Sequence, residues 1–285
     1  IALLEREGIR VHFPEEQTCC GQPAHTSGFP DESRKVAAHQ LTLFPNDWPV
    51  VVPSGSCAGM MKHHYPTLFA REPARKAQAE ALAARIHELT EFLVNVLGWQ
   101  PEDRGGECTV VLHTSCSARR EMGVHLTGRK LLDALGKVRV AQQDHESECC
   151  GFGGTFSVKQ PEISGAMVED KVKALKATGA ERVVSADCGC LMNILGHAAW
   201  KDRQEGRAAP SLPGEHIARG QAAAVRRHRR GERGEDRVVF AVGHMCAPAL
   251  VQIDTNSVGG LRQSGTERGS LKDLLAFAPR RICAV

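Results

Sequence analysis

Two adjacent cysteines followed by glycine occur twice in this chain, at Cys19-Cys20-Gly21 and at Cys149-Cys150-Gly151. The surroundings repeat as well. Leu3-Leu4-Glu5-Arg6-Glu7-Gly8-Ile9-Arg10-Val11 parallels Leu131-Leu132-Asp133-Ala134-Leu135-Gly136-Lys137-Val138-Arg139-Val140 upstream of the two turns. Downstream, each turn leads to a proline and an acid that can open a helix, Pro30-Asp31 and Pro161-Glu162, and then to a Val-rich run and a further cysteine, Cys57 or Cys190. Self-similarity on this scale means that one structural unit is built twice. It therefore constrains the fold and the chemistry together.

Runs of apolar residues alternate with helical periodicity, which implies an α/β class with parallel pairing. The sequence predicts two tandem pseudo-repeat lobes, each a small parallel sheet flanked by helices. Residues 1–100 form the first, 101–218 the second, and 219–285 a basic, poorly ordered tail. The net charge of +3 comes from that tail, where Arg226-Arg227-His228-Arg229-Arg230 begins a charged stretch. The body is near neutral, which argues against nucleic-acid binding. No apolar run approaches the roughly 20 residues of a membrane span.

In the first repeat the pattern predicts a short strand at 9–13, a helix from Asp31 to Phe44 with Asp31 as cap, and a buried strand at Val50-Val51-Val52. One long helix is expected from Glu72 to Gly98, with Leu82, Ile86, Leu89, Leu93 and Val96 on its apolar stripe. In the second, strands are expected at 109–113, 137–141 and 182–185, with helices through Arg129–Leu135 and Glu162–Lys176. The strand and cysteine that open the second repeat, ending at Cys116, have no counterpart before Ile1, so the first repeat reads as truncated at its start. Within the tail an apolar run, Val238–Val242, is followed by a Gly/Ser-rich region with no sustained period.

Eleven cysteines without an export signal point to metal or redox work rather than a disulfide framework. In the second repeat, 32 residues separate Cys116 from Cys149, and 39 separate Cys150 from Cys190; in the first, 36 separate Cys20 from Cys57. Each thiol lies at or just after the carboxyl end of a strand, where open α/β sheets gather ligands. Thiolates suit iron–sulfur clusters and zinc. Adjacent cysteines bind two irons of one cluster more readily than one tetrahedral zinc, and no Cys-x-x-Cys occurs. Packing of free thiols, structural zinc and a strained Cys149–Cys150 disulfide are the competing readings. Gly21, Gly151, Gly153 and Gly154 would let backbone approach a cofactor and offer amides to its sulfurs. His63 and His64 have no partners in the second repeat and read as solvated. His113, Arg119 and Arg120 flank the first thiol turn, where an acidic group or a partner surface is conceivable but an inert solvated loop is the plainer reading.

The run Cys149-Cys150-Gly151-Phe152-Gly153-Gly154-Thr155-Phe156-Ser157-Val158-Lys159, with Cys190-Leu191-Met192-Asn193-Ile194, Cys20-Gly21-Gln22-Pro23-Ala24 and Pro53-Ser54-Gly55-Ser56-Cys57, resembles the cysteine-rich (CCG) iron–sulfur family. That family includes the cysteine-rich component of heterodisulfide reductase, the glycolate oxidase iron–sulfur subunit and, with the nearest wording, the lactate-utilisation proteins. The resemblance covers about residues 1–218. It implies an iron–sulfur cluster, of 4Fe–4S or non-cubane type, in an electron-transfer subunit of a cytoplasmic complex that oxidises L-lactate to pyruvate beside other subunits. The alternatives are a heterodisulfide-type thiol-disulfide reductase subunit and a zinc-bound structural protein. Carried onto this chain, Cys116, Cys149, Cys150 and Cys190 are ligands of one site, and Cys19, Cys20 and Cys57 belong to a second. The heterodisulfide pattern closes with Cys-x-x-Cys, whereas here Met60 and Asn193 stand at the last position. Cys188 is the candidate fifth thiol. Ser117 stands where family members often carry histidine.

Overall fold

The computed structural model describes residues 1–103, 105–204, 251–254 and 281–283. The chain divides into two compact units, residues 1–98 with 246–285 and residues 99–245. In chain order the first contains α1 (Ala2–Arg6), β1 (Arg10–His12), α2 (Gln22–Thr26), α3 (Pro30–Thr42), β2 (Val50–Val52) and α4 (Gly55–Gly59). A π-helical turn (Met60–His64), α5 (Tyr65–Leu68), α6 (Pro73–Ala83), β3 (Ile86–Glu88), α7 (Leu89–Glu91) and a second π-helical turn (Phe92–Val96) follow. The second unit contains β4 (Cys108–Leu112), α8 (Cys116–Met122), α9 (Val124–Asp133), β5 (Val138–Ala141), α10 (Phe156–Lys159), α11 (Pro161–Ala177), β6 (Arg182–Val184) and α12 (Cys188–Gln204). Strands β7 (Val251–Asp254) and β8 (Arg281–Cys283) belong to the first unit. Otherwise the tail expected over 219–285, with Val238–Val242, lies outside the described residues.

The protein is α/β, with two small sheets flanked by helices. In the second unit the strand order is β5-β4-β6. Both pairings are parallel, with Val110 opposite Val140 and Val111 opposite Val183. In the first unit the order is β1-β8-β7-β2-β3. There β2 and β3 are parallel, and β7 pairs antiparallel with both β1 and β2. By the repeat, β1 corresponds to β5 and β2 to β6. The place that β4 holds between β5 and β6 is thus held in the first unit by strands from the far end of the chain, with β7 running in the opposite sense.

Local sequence explains the helix starts. Pro30 and Pro161 occupy the first helical turn, where a missing N–H costs nothing and the fixed φ suits the helix. Asp31 does not cap α3; its carboxylate accepts from Arg34 at 2.7 Å instead, and Phe29 holds the cap position. Gly179, at φ +62, follows α11 as the sequence anticipates.

The long helix expected over 72–98 is interrupted. Helix α6 stops at Ala83, and residues 86–88 are extended as β3, in register with β2 (Val50 opposite Ile86, Val52 opposite Glu88). Arg85 fixes the reversal by donating to the carbonyls of Trp48 at 2.7 Å and Phe44 at 3.0 Å. Ile86 and Glu88 are buried while His87 is less so, a period of two that a helical stripe through Ile86 conceals. Glu88 then caps α7 in a reciprocal capping box with Glu91.

Val50, Val51 and Val52 are fully buried, as a strand covered on both faces requires. In the second unit Val111, Val183, Val168 and Ile194 form one apolar cluster that includes Cys150 and Cys190. The thiols are thus set into the rim of the core. No helix among the described residues is long and apolar enough to cross a membrane.

Candidate metal centre

Each Cys-Cys-Gly turn is built by the same devices. Gly21 and Gly151 adopt left-handed φ of +84 and +81, a region open to glycine at little cost. There is no room for a side chain either: a Cβ at Gly151 would stand 2.6 Å from the Ser164 carbonyl, and one at Gly21 3.1 Å from Ser33 Oγ. This backbone bend aims an amide at sulfur. The N–H of Gly21 donates to Cys19 Sγ at 3.4 Å, and that of Gly151 to Cys149 Sγ at 3.3 Å.

Three further contacts hold the turns. Ser33 Oγ donates to the Gly21 carbonyl at 3.1 Å, and Ser164 Oγ to that of Gly151 at 2.8 Å. The carbonyl of the second cysteine accepts from Tyr65 Oη in one unit (2.9 Å, onto Cys20) and from Asn193 Nδ2 in the other (2.8 Å, onto Cys150). Seven residues beyond each serine, Gln40 and Lys171 anchor the approach to the turn. Gln40 donates to the Thr18 carbonyl at 2.9 Å, and Lys171 to that of His145 at 2.7 Å. The sequence signal for these serines was the common spacing, with the serine 12 or 13 residues after the glycine. Without the fold, nothing distinguished them from other helix serines.

In the second unit the thiols stand after β4, after β5 and after β6. Cys116 opens α8, one residue after Ser115, whose hydroxyl accepts from Ala118 N and donates to buried Asp187 Oδ2 at 2.6 Å. That bond ties the turn after β4 to the turn after β6, which leads into α12 and Cys190. Cys116 neighbours Cys149, Cys149 neighbours Cys150, and Cys150 neighbours Cys190, each close enough to act on the next thiol's protonation. Four thiols from three segments thus lie in one series. The Cys149 thiol and burial push the Cys116 thiol well above its usual range. At Cys150 the Cys149 thiol acts downward, but the Cys190 thiol and burial outweigh it and push the thiol up to about 12. Thiols in this state keep their protons at neutral pH unless a cation compensates, and metal binding releases them.

The first unit brings Cys19, Cys20 and Cys57 together likewise. Cys20 is fully buried and raised by its neighbours Cys19 and Cys57 and by burial. Cys19 is lowered to about 6 by its neighbour Cys20, which with the Gly21 amide outweighs burial. Of the adjacent pair, Cys19 has the more thiolate character.

The remaining expected residues separate. Gly153 and Gly154 have φ of +50 and +63, but what a Cβ at Gly153 would strike is Phe156, at 2.7 Å, so local packing already demands glycine there. Cys188 opens α12 and is half-buried. Between it and Cys190, a Cβ on Gly189 would collide with the Phe152 ring; the aromatic of the Cys-Cys-Gly-Phe run therefore seats on the helix that bears the last cysteine. Arg119 is paired with Glu146 at 2.6 Å, and Arg120 is exposed. His113, expected on a solvated loop, is instead buried at 1% exposure. Burial, reinforced by the positive charge of Lys171, lowers its imidazole to about 3 and keeps it neutral. One of its ring nitrogens and the Sγ atoms of Cys150 and Cys190 all lie within 4.8 Å of one another. His63 is exposed, and the His64 ring lies 4.9 Å from that of His25.

The sequence matches the CCG cysteine-rich domain over residues 1–62 and 110–195, the segments that carry the two arrays. Lactate utilization protein A 1 of Bacillus mycoides (strain KBAB4) is 47% identical over 199 residues, covering 69% of this chain and 80% of that protein. Lactate utilization protein A of Bacillus subtilis (strain 168) is 44% identical, covering 71% and 85%. That of Shouchella clausii (strain KSM-K16) is 46% identical, covering 69% and 82%. The chain belongs to the CCG cysteine-rich domain family, among the homologues of lactate utilization protein A.

Proposed function

We propose that this protein is an iron–sulfur electron-transfer subunit of a cytoplasmic complex that oxidises L-lactate to pyruvate. The observation that carries the reading is the gathering of Cys116, Cys149, Cys150 and Cys190, each acting on the next thiol's protonation, with the Sγ atoms of Cys150 and Cys190 within 4.8 Å of each other. Relatives named for lactate utilization supply the metabolic context. Cys19, Cys20 and Cys57 are the protein's ligands toward a second site.

The donor set fits an iron–sulfur cluster better than a single ion. Thiols raised by one another and by burial need a compensating cation, and sequence neighbours such as Cys149 and Cys150 can serve different irons. Oxidation of lactate releases two electrons and two protons, and a cluster supplies a one-electron carrier toward the acceptor. The chain's own groups set how well it carries. The cysteines bind; the Gly21 and Gly151 amides donate to sulfur and stabilise accumulating negative charge; Lys171, 3% exposed beneath the second array, adds a buried cation. The carbonyls of Cys20 and Cys150, tethered by Tyr65 and Asn193, keep the second cysteine of each pair from swinging.

The test is optical. Reconstituted protein, mixed anaerobically with the proteins that copurify from its native host, should bleach in its visible cluster absorption when L-lactate is added. Bleaching by dithionite but not by L-lactate would remove the lactate assignment and leave the cluster.

A further inference from the structure

His113 is a buried polar side chain that hydrogen bonding leaves unexplained. It directly follows β4, and its N–H donates to the Val184 carbonyl at 2.8 Å, so strand pairing fixes its backbone. Neither Nδ1 nor Nε2 has a hydrogen-bond partner among the described residues. An unmet buried polar group costs about 1–3 kcal/mol, and such groups call for an explanation of their own.

The neighbours supply one. A His113 ring nitrogen, Cys150 Sγ and Cys190 Sγ lie within 4.8 Å of one another, and all three residues are buried. Three donors this close together can serve one metal centre, whether on the same metal atom or on adjacent ones. The three come from three separate elements: the end of β4, the Cys-Cys-Gly turn and the first turn of α12. Local sequence therefore does not account for their meeting. Cys188, the fifth thiol considered from sequence, is outside the trio.

We infer that His113 is a nitrogen ligand of the second-unit centre, beside Cys150 and Cys190, giving that centre a mixed thiolate–imidazole donor set. This rests on the iron–sulfur reading above. A neutral imidazole adds a donor without adding negative charge, whereas a fifth thiolate would add one. Exchange of cysteine for histidine raises the potential of an iron–sulfur centre, so this site would accept electrons more readily than an all-thiolate one.

The experiment uses the full chain, reconstituted anaerobically with iron and sulfide and grown with 15N-histidine, and reads electron–nuclear double resonance of the paramagnetic state. The expected result is a strongly coupled nitrogen that changes with the isotope. It should be lost in His113→Cys, which keeps a donor in place, with iron and sulfide retained and the potential shifted downward. His113→Gln, with folding checked by circular dichroism, should lose the same coupling. A cluster with no strongly coupled histidine nitrogen in the unmutated chain, or with the coupling intact in His113→Cys, overturns the inference and leaves the iron–sulfur reading standing. Absence of iron and sulfide after reconstitution overturns that reading, and this inference with it.

Discussion

The hydroxyl of Ser164 donates to the carbonyl of Gly151 at 2.8 Å, and Ser33 does the same for Gly21 at 3.1 Å. These bonds reach from the helix after each turn back to its glycine, so the start of α11 or α3 decides where the cysteine pair sits. Both serines are buried. Ser164→Ala leaves the buried Gly151 carbonyl without this donor, and a loss of about 1–2 kcal/mol of stability is expected; the Gly21 carbonyl still accepts from His25 N at 3.1 Å, so Ser33→Ala should cost less. Urea unfolding of Ser164→Ala and Ser33→Ala measures it. Retention of full stability by both would show that the bonds do not hold the turns.

The glycine of the turn is more demanding. Gly151→Ala would add left-handed strain and a carbonyl contact at 2.6 Å, whereas Gly179, at φ +62, has open space where its Cβ would go. Gly179→Ala is expected to cost about 1 kcal/mol. Gly151→Ala should cost on the order of 3 kcal/mol or more and should weaken cofactor retention as well. Thermal melts of both variants, with iron content, separate the two cases. Equal losses would mean that the Ser164 contact relaxes without consequence.

Lys171 and Gln40 occupy matching places in the repeat, yet only the second unit carries a charge there. Lys171→Gln copies the first unit into the second. Removing a buried cation makes added electrons less welcome, so the midpoint potential of the second-unit cluster should fall, by on the order of 50 mV for an interaction near 1 kcal/mol. Potentiometric titration followed by paramagnetic resonance reads the shift. A rise, or no change, would contradict an electrostatic role for this lysine.

Glu146 gives a pH-dependent contribution of known sign. Burial acts to raise its carboxyl, but the bonds from Arg119 and Gln142 outweigh this and hold it below the usual carboxylate range. Its folded pKa is lower than its unfolded one, so its contribution is complete above the unfolded value near ~4.3 and is lost as pH falls through the folded value. The pair with Arg119 is about one-quarter exposed on each side, so about 1 kcal/mol is expected after screening. Between about pH 6 and pH 3 the metal-free chain should lose that much more stability than Glu146→Gln. An identical pH dependence for the two would count against the pair.

Much of the centre was readable in the sequence because the repeat supplied its own control. A cysteine pair that recurs with the same glycine and the same downstream thiol marks Cys149, Cys150 and Cys190 as candidates without coordinates, and Cys116 is a candidate by its place just after a strand. The parallel strands followed from alternation of Val-rich runs and helices. The strand at Ile86–Glu88 was hidden because Ile86 satisfies both a helical stripe and a strand pairing, and only the partner β2 decides between them. His113 was misplaced for a related reason. A histidine beside Thr114, Ser115 and two arginines looks solvated, and its burial depends on β6 and α12, which lie some seventy residues later in the chain. The Ser115–Asp187 and Asn193–Cys150 bonds are likewise contacts between distant segments, which no local pattern announces.

That the second-unit thiols hold an iron–sulfur cluster is the central claim, and its most direct test is anaerobic analysis of iron and acid-labile sulfide, with the paramagnetic resonance spectrum, in the unmutated chain and in Cys150→Ala. Iron and sulfide in cluster proportions are expected in the first, and a marked loss of both, with the second-unit signal gone, in the second. Zinc alone, no metal after reconstitution, or a Cys150→Ala protein with unchanged iron, sulfide and spectrum would contradict the claim.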